Sequence, residues 1–248
     1  MHMKAMIGIL GGMGPLATVD FLAKLVERTP ATHDQEHVPV VVYSVPQIPD
    51  RSASILYGGE SPLPAMQAGI RTLERAGARA IAIACNTAHY WYDDLARECG
   101  VPLLHIADCA CAALQSDVAN VGLLATRGTL AAGFYQQRLA ARGYRCLINR
   151  QEEIDAWVSP GIGLVKAGDI AGAGALLQQA LAALIERGAQ RVILACTEIP
   201  LALDRVAAPQ LPHCIDATAV LADACIQRSV RNASAYPAAA DSARAPGH

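Results

Sequence analysis

The sequence predicts an α/β fold of two pseudo-symmetric, doubly wound parallel-sheet lobes with the functional site in the cleft between them. Three observations lead there. Short apolar runs alternate with Ala/Leu-rich helical stretches, the pattern of parallel βαβ units. The segment GlyAlaArgAlaIleAlaIleAlaCys (77–85) repeats as GlyAlaGlnArgValIleLeuAlaCys (188–196), Gly on Gly and Cys on Cys, each closely preceded by a Glu-Arg pair. The match extends outward at an offset of about 110–114 residues: IleGlyIleLeu (7–10) finds ValGlyLeuLeu (121–124), and ProLeuLeuHisIle (102–106) finds ProHisCysIle (212–215). The chain is an internal duplication.

In chain order, strands are expected at 7–10, 38–45, 80–84 and 103–106, then at 121–125, 144–148, 192–195 and 214–215. A glycine turn at 11–14 follows the first strand, and Pro15 starts a helix. The last segment is expected to dock back on the first half, giving lobes of 1–115 plus 210–228 and 116–209. The Ala/Pro/Ser/Arg-rich stretch 229–248 is expected to be a disordered tail. Ligands of doubly wound sheets sit outside the carboxyl ends of the strands, which places Cys85 and Cys196 on opposite walls of one cleft.

Composition narrows the function. With 248 residues, 53% apolar and 17% charged, the chain builds a core. Net charge is −2 and the basic residues are scattered singly, so neither a nucleic-acid nor a membrane footprint is visible and a small-molecule partner is expected. No apolar run reaches membrane-spanning length, and the amino terminus carries no signal-like segment, so a cytoplasmic protein with reduced thiols is expected. Among its eight cysteines there is no CxxC pair; Cys109 and Cys111 read as small buried helix residues, and no metal is expected.

Cys85 and Cys196 each end an apolar strand, in CysAsnThrAlaHis (85–89) and CysThrGluIlePro (196–200). A following helix N-terminus lowers a thiol pKa and supplies N–H donors for an anion. His89 reads as a packed, hydrogen-bonded residue. Gly12-x-Gly14-x-x-Ala17 meets the loose dinucleotide fingerprint, but the second strand ends in Tyr43, Ser44 and Val45, without the acid that would hold a ribose.

These motifs, with GlyGlyMetGlyProLeuAlaThr (11–18), IleProAspArg (48–51) and Lys166 in LeuValLysAlaGly, resemble the pyridoxal-independent aspartate/glutamate racemases, and among them the aspartate racemases, over residues 6–225. The resemblance implies two similar α/β lobes, one cysteine on each face of the substrate's α-carbon, and a homodimer. Cys85 and Cys196 then exchange roles as base and acid, because inversion requires deprotonation on one face and reprotonation on the other. Backbone N–H groups with Asn86, Thr87 and Thr197 suit an α-carboxylate gaining charge. The resemblance assigns Arg51 and Lys166 to the distal carboxylate of an acidic amino acid; Met13, Gly14 and Glu198 complete the expected binding set. Glutamate racemases typically carry Asp-Ser near the first strand and His after the second Cys-Thr; Gly11-Gly12 and Glu198 stand there instead. No cofactor is expected: of Lys4, Lys24 and Lys166, only Lys166 is placed to form a pyridoxal Schiff base. A dicarboxylate isomerase or decarboxylase, and a non-catalytic binding protein, are the alternatives.

Overall fold

In the computed structural model, which describes residues 4–233, the chain runs β1 (Ile7–Gly11), α1 (Pro15–Arg28), β2 (Val40–Ser44), α2 (Arg51–Tyr57), α3 (Leu63–Arg75), β3 (Ala80–Ile83), α4 (Tyr92–Glu98) and α5 (Ile106–Ala112). The second half follows as β4 (Asn120–Ala125), α6 (Arg127–Ala132), α7 (Phe134–Ala141), β5 (Arg145–Ile148), α8 (Gln151–Glu153), α9 (Ser159–Ala167), α10 (Ile170–Glu186), β6 (Arg191–Ala195), α11 (Glu198–Arg205), β7 (Cys214–Asp216) and α12 (Ala217–Ala233). A π-helical turn, Ile154–Val158, joins α8 to α9.

All strand pairings are parallel, in the orders β2-β1-β3 and β5-β4-β6-β7. Leu103 bridges Ile81 in the place β7 holds beside β6, so both halves share one order. The strand expected at 103–106 is corrected by this: only Leu103 pairs, because Ile106 already opens α5, capped by the His105 side chain accepting from Ala107 N–H at 3.1 Å.

Period-two alternation divides each central strand between two cores. Ile7, Ile9, Ala80, Ala82, Val121, Leu123, Ile193 and Ala195 face a central core shared by both lobes. Leu10, Ile81 and Ile83 face the outer core of the first lobe, and Leu124, Val192 and Leu194 that of the second. With both faces covered, these strands read as continuous apolar runs.

Helices α5 and α12, each following its lobe's last strand, pack on each other and cross over reciprocally: α5 lies against α7 of the second lobe, and α12 against α1 of the first. β7 remains in the second sheet, so the chain crosses back at Ala217. The tail expected from 229 is also corrected. Helix α12 continues to Ala233, tied to the chain start by Ala5 N–H to Ser229 O (3.0 Å) and Ser229 Oγ to Ala5 O (2.7 Å). The remainder, 234–248, lies outside the described residues.

Between the lobes α2 meets α6, where a Cβ on Gly128 would stand 2.6 Å from Ser52 Oγ and 3.0 Å from its Cα. Only glycine allows this approach, which sets the width of the cleft beside Arg51.

Candidate active site

The carboxyl ends of β1, β3, β4 and β6 open onto a cleft with about 330 Å³ of empty space. Of the ten residues named from sequence, Met13, Arg51, Cys85, Asn86, Thr87, Lys166, Cys196, Thr197 and Glu198 line it. Gly14 borders it, since a Cβ there would lie 3.4 Å from Glu198 Oε1. Asp50, Ser52 and Thr126 also line the cleft and were missed. Asp50 and Ser52 flank Arg51; Thr126 stands 114 residues after Gly12, so the repeat itself pointed to it.

The glycine turn is built for close approach of the backbone. Gly12 has φ +91°, and a Cβ there would meet Val45 N at 2.3 Å. Its N–H donates to Thr18 Oγ1 at 2.9 Å in the first turn of α1, which Pro15 begins.

The turn after β3 is held both by its own 3-10 stretch and from the second lobe. Cys85 and Asn86 lead into a single 3-10 stretch, Thr87–Trp91, rather than directly into an α-helix. His89 Nδ1–H donates to the Cys85 carbonyl (2.8 Å), and its Nε2 accepts from Ile106 N–H (3.2 Å), so the ring is a neutral structural brace. Burial pushes its pKa down to about 4, and His105 beside it down to about 2. From the second lobe, the fully buried Tyr135 on α7 donates its hydroxyl to Asn86 Oδ1 at 2.6 Å. Thr87 Oγ1 joins Thr126 Oγ1 (3.0 Å) and Thr129 Oγ1 (2.9 Å), which also bond each other (3.0 Å), forming a closed ring of hydroxyls across the lobes.

The turn after β6 is held locally. Cys196 Sγ–H donates to Glu198 Oε2 at 3.1 Å, and Thr197 Oγ1–H to the same oxygen at 2.9 Å. Glu198 opens α11, where a carboxylate is favoured by the helix dipole. Burial first, then the Glu198 carboxylate, raise the Cys196 thiol well above its ordinary value, with Lys166 acting in the opposite direction. In the resting state Cys196 therefore holds its proton.

The two cations differ similarly. Arg51 Nη1 donates to the Ile48 (3.2 Å) and Pro49 (3.1 Å) carbonyls and Nη2 to the Met13 carbonyl (3.3 Å), while its buried Nε has no partner. Nε–H and one Nη2 hydrogen remain for a carboxylate. Lys166, exposed near the end of α9, makes no ion pair among the described residues, whereas Lys24 is bound to Asp20 and Asp216 and Lys4 donates to the Glu36 carbonyl. Among the described residues no group of His, Cys, Asp and Glu is assembled to hold a metal, and no helix is long and apolar enough to cross a membrane.

Residues 10–225 match the family model for Asp/Glu/hydantoin racemases. The chain belongs to this family. As a member it is an amino-acid racemase, and its paired lobes are those of the solved relatives. An aspartate racemase from Picrophilus torridus is 34% identical, superposing with a TM-score of 0.80 over 91% of this chain and 94% of its own. An aspartate racemase homologue from Pyrococcus horikoshii is 27% identical, with a TM-score of 0.69 over 94% and 100% of the two chains. The broad specificity amino-acid racemase RacX of Bacillus subtilis is 29% identical over 223 residues, 88% of this chain and 95% of that protein.

Proposed function

We propose that the chain interconverts L- and D-aspartate without a cofactor, Cys85 and Cys196 removing and returning the Cα proton from opposite faces. The observation that carries this reading is the cleft lined by both thiols, one from each lobe, together with buried donors that have no partner, Asn86 Nδ2 and Arg51 Nε. Buried polar groups of that kind cost free energy until a ligand satisfies them. The α-carboxylate goes to Asn86 Nδ2 and the turn amides, whose donors stabilise the charge that grows as the Cα proton leaves. The distal carboxylate goes to the Nε edge of Arg51, with Lys166 closing from the second lobe. Cys196, resting as a thiol on Glu198, acts as the acid in one direction and becomes the base in the other once deprotonated. Met13 and Gly14 complete the floor, and Thr87 and Thr197 the walls. The 34% identity to an aspartate racemase along nearly the whole of both chains supports aspartate as a substrate.

Incubation of a panel of L-amino acids and dicarboxylates in deuterium oxide, followed by chiral chromatography with mass detection, tests this reading. Early D-aspartate should carry deuterium at Cα while recovered L-aspartate stays protiated; label entering both enantiomers together at early times would sink the two-base scheme. Appearance of an isomerised or decarboxylated dicarboxylate would favour those chemistries, and an internal aldimine absorbance band would refute cofactor independence. The reading also carries a cytoplasmic homodimer. All eight cysteines are free, as a reducing compartment keeps them, and Val40, Val42 and Tyr43 lie exposed on the edge strand β2. Light scattering that returns the monomer mass would remove the dimer.

A further inference from the structure

We infer that Tyr135 is a positioning residue, its phenol fixing the Asn86 carboxamide so that the NH2 group, and not the oxygen, is presented to the substrate carboxylate. This rests on the placement of the α-carboxylate at Asn86 proposed above. An amide side chain has two nearly isosteric ends with opposite hydrogen-bonding character. Turned one way, Asn86 offers donors to an anion; turned the other way, it repels the anion with a carbonyl. Nothing within the CysAsnThr turn itself decides between them, since the Asn86 side chain makes no hydrogen bond to that turn. The decision comes from the second lobe. Tyr135 Oη–H donates to Asn86 Oδ1 at 2.6 Å, and Asn86 Nδ2 is buried, unpartnered and on the wall of the cleft. Asn86 is only 2% exposed and Tyr135 0%, so water does not compete for either end of this bond. The Tyr135 ring is itself held against Phe134, which meets His105 edge-on. A phenol is suited to the task because its rigid ring delivers one donor at a fixed point.

The test is a double-mutant cycle of Tyr135→Phe and Asn86→Ala, read as kcat/KM for both enantiomers of aspartate. Phenylalanine keeps the packing, so melting temperatures should stay close to wild type. Tyr135→Phe alone should lower kcat/KM about tenfold, the scale of one lost hydrogen bond, and should have no further effect in the Asn86→Ala background. Equal losses in both backgrounds, or full activity in Tyr135→Phe, would overturn the assignment. Asn86→Asp, which keeps an acceptor for the phenol but loses the donor, should be at least as impaired as Asn86→Ala; activity near wild type would also overturn it. Running the same cycle on succinate affinity by calorimetry requires no turnover. Non-additive succinate binding in a protein inactive on aspartate would fault the racemase reading and leave the role of Tyr135 standing, whereas additive losses, or no succinate binding to wild type, would remove that role.

Discussion

The two strand-end turns occupy equivalent places in the repeat, yet they are held in opposite ways. The turn of Cys85 is braced by His89, four residues on, which bonds to Ile106 N–H, and is tied across the cleft by Tyr135 and the Thr126 and Thr129 hydroxyls of the facing lobe. The turn of Cys196 is organised by Glu198, two residues away on the same helix turn. The cations repeat the contrast, Arg51 being pinned by three carbonyls while Lys166, exposed on the cleft wall, makes no ion pair among the described residues. One wall is thus tied by bonds to several segments of the chain; the other is tied by Glu198 and carries an unpaired cation. A shared backbone does not impose shared chemistry: Glu198, two residues beyond the repeated segment, adds to burial in raising the Cys196 thiol, and Thr87 stands at the equivalent place after Cys85.

The largest effect should come from removing either thiol. Cys85→Ala and Cys196→Ala should each lower racemisation by about a thousandfold or more, in line with loss of general acid or base groups, with circular dichroism unchanged. Substantial turnover in either variant would break the two-wall scheme.

Next in size, Arg51→Ala should cost about 2–5 kcal/mol in kcat/KM for aspartate, the range for truncating one partner of a buried charge pair. Lys166→Ala, removing an exposed cation, should cost only about 1 kcal/mol. Equal losses would erase the distinction between a fixed and a free cation.

Smaller again, Glu198→Gln should sharpen the comparison by acting on one cysteine alone. With the carboxylate gone, the Cys196 thiolate is easier to form, and the pH curve for alkylation of Cys196, followed by peptide mass mapping, should move to lower pH; an unmoved curve would remove Glu198 from the control of this thiol. Labelling of Cys85, which makes no bond to Glu198, serves as the internal reference.

The pH dependence of stability is the mildest test near neutrality. Burial depresses His89 from 6.5 to about 4 in the fold, so the unfolded chain binds the proton first as pH falls. The contribution of this ring is complete above about pH 6.5 and is lost between there and about pH 4, on the order of 3 kcal/mol. Hydrogen exchange at the Cys85 turn should accelerate over that window before it does at the Cys196 turn.

Much of the architecture was legible because the central strands are buried on both faces and the repeat marks their ends: the strands beginning at Ile7, Ala80, Asn120 and Arg191 lie where the apolar runs stand, and the half-buried edge strands at Arg145 and Cys214 follow from the repeat and their apolar residues. The turns bearing Cys85 and Cys196 could be read because the aligned segments end on them. The bond from Tyr135 to Asn86 was not legible. Tyr135 lies 49 residues from Asn86, on a helix with no local sign of that contact. The end of α12 was missed for the same reason, its anchor being a pairing of Ser229 with Ala5 across nearly the whole chain. Alternation and spacing report local structure; a bond between distant residues leaves no periodic trace.

The reciprocal exchange of α5 and α12 bears on how such a site could arise. A chain of one repeat would leave its last helix without a seat and its central core half open, unless two copies traded those helices. The geometry is therefore that of a swapped homodimer whose subunits have been joined end to end. A homodimer must present the same side chains on both sides of its axis. Once joined, the two copies could drift apart, one gaining the asparagine and its tyrosine, the other the glutamate. Covalent fusion, on this view, released a symmetric crevice from the obligation to remain symmetric.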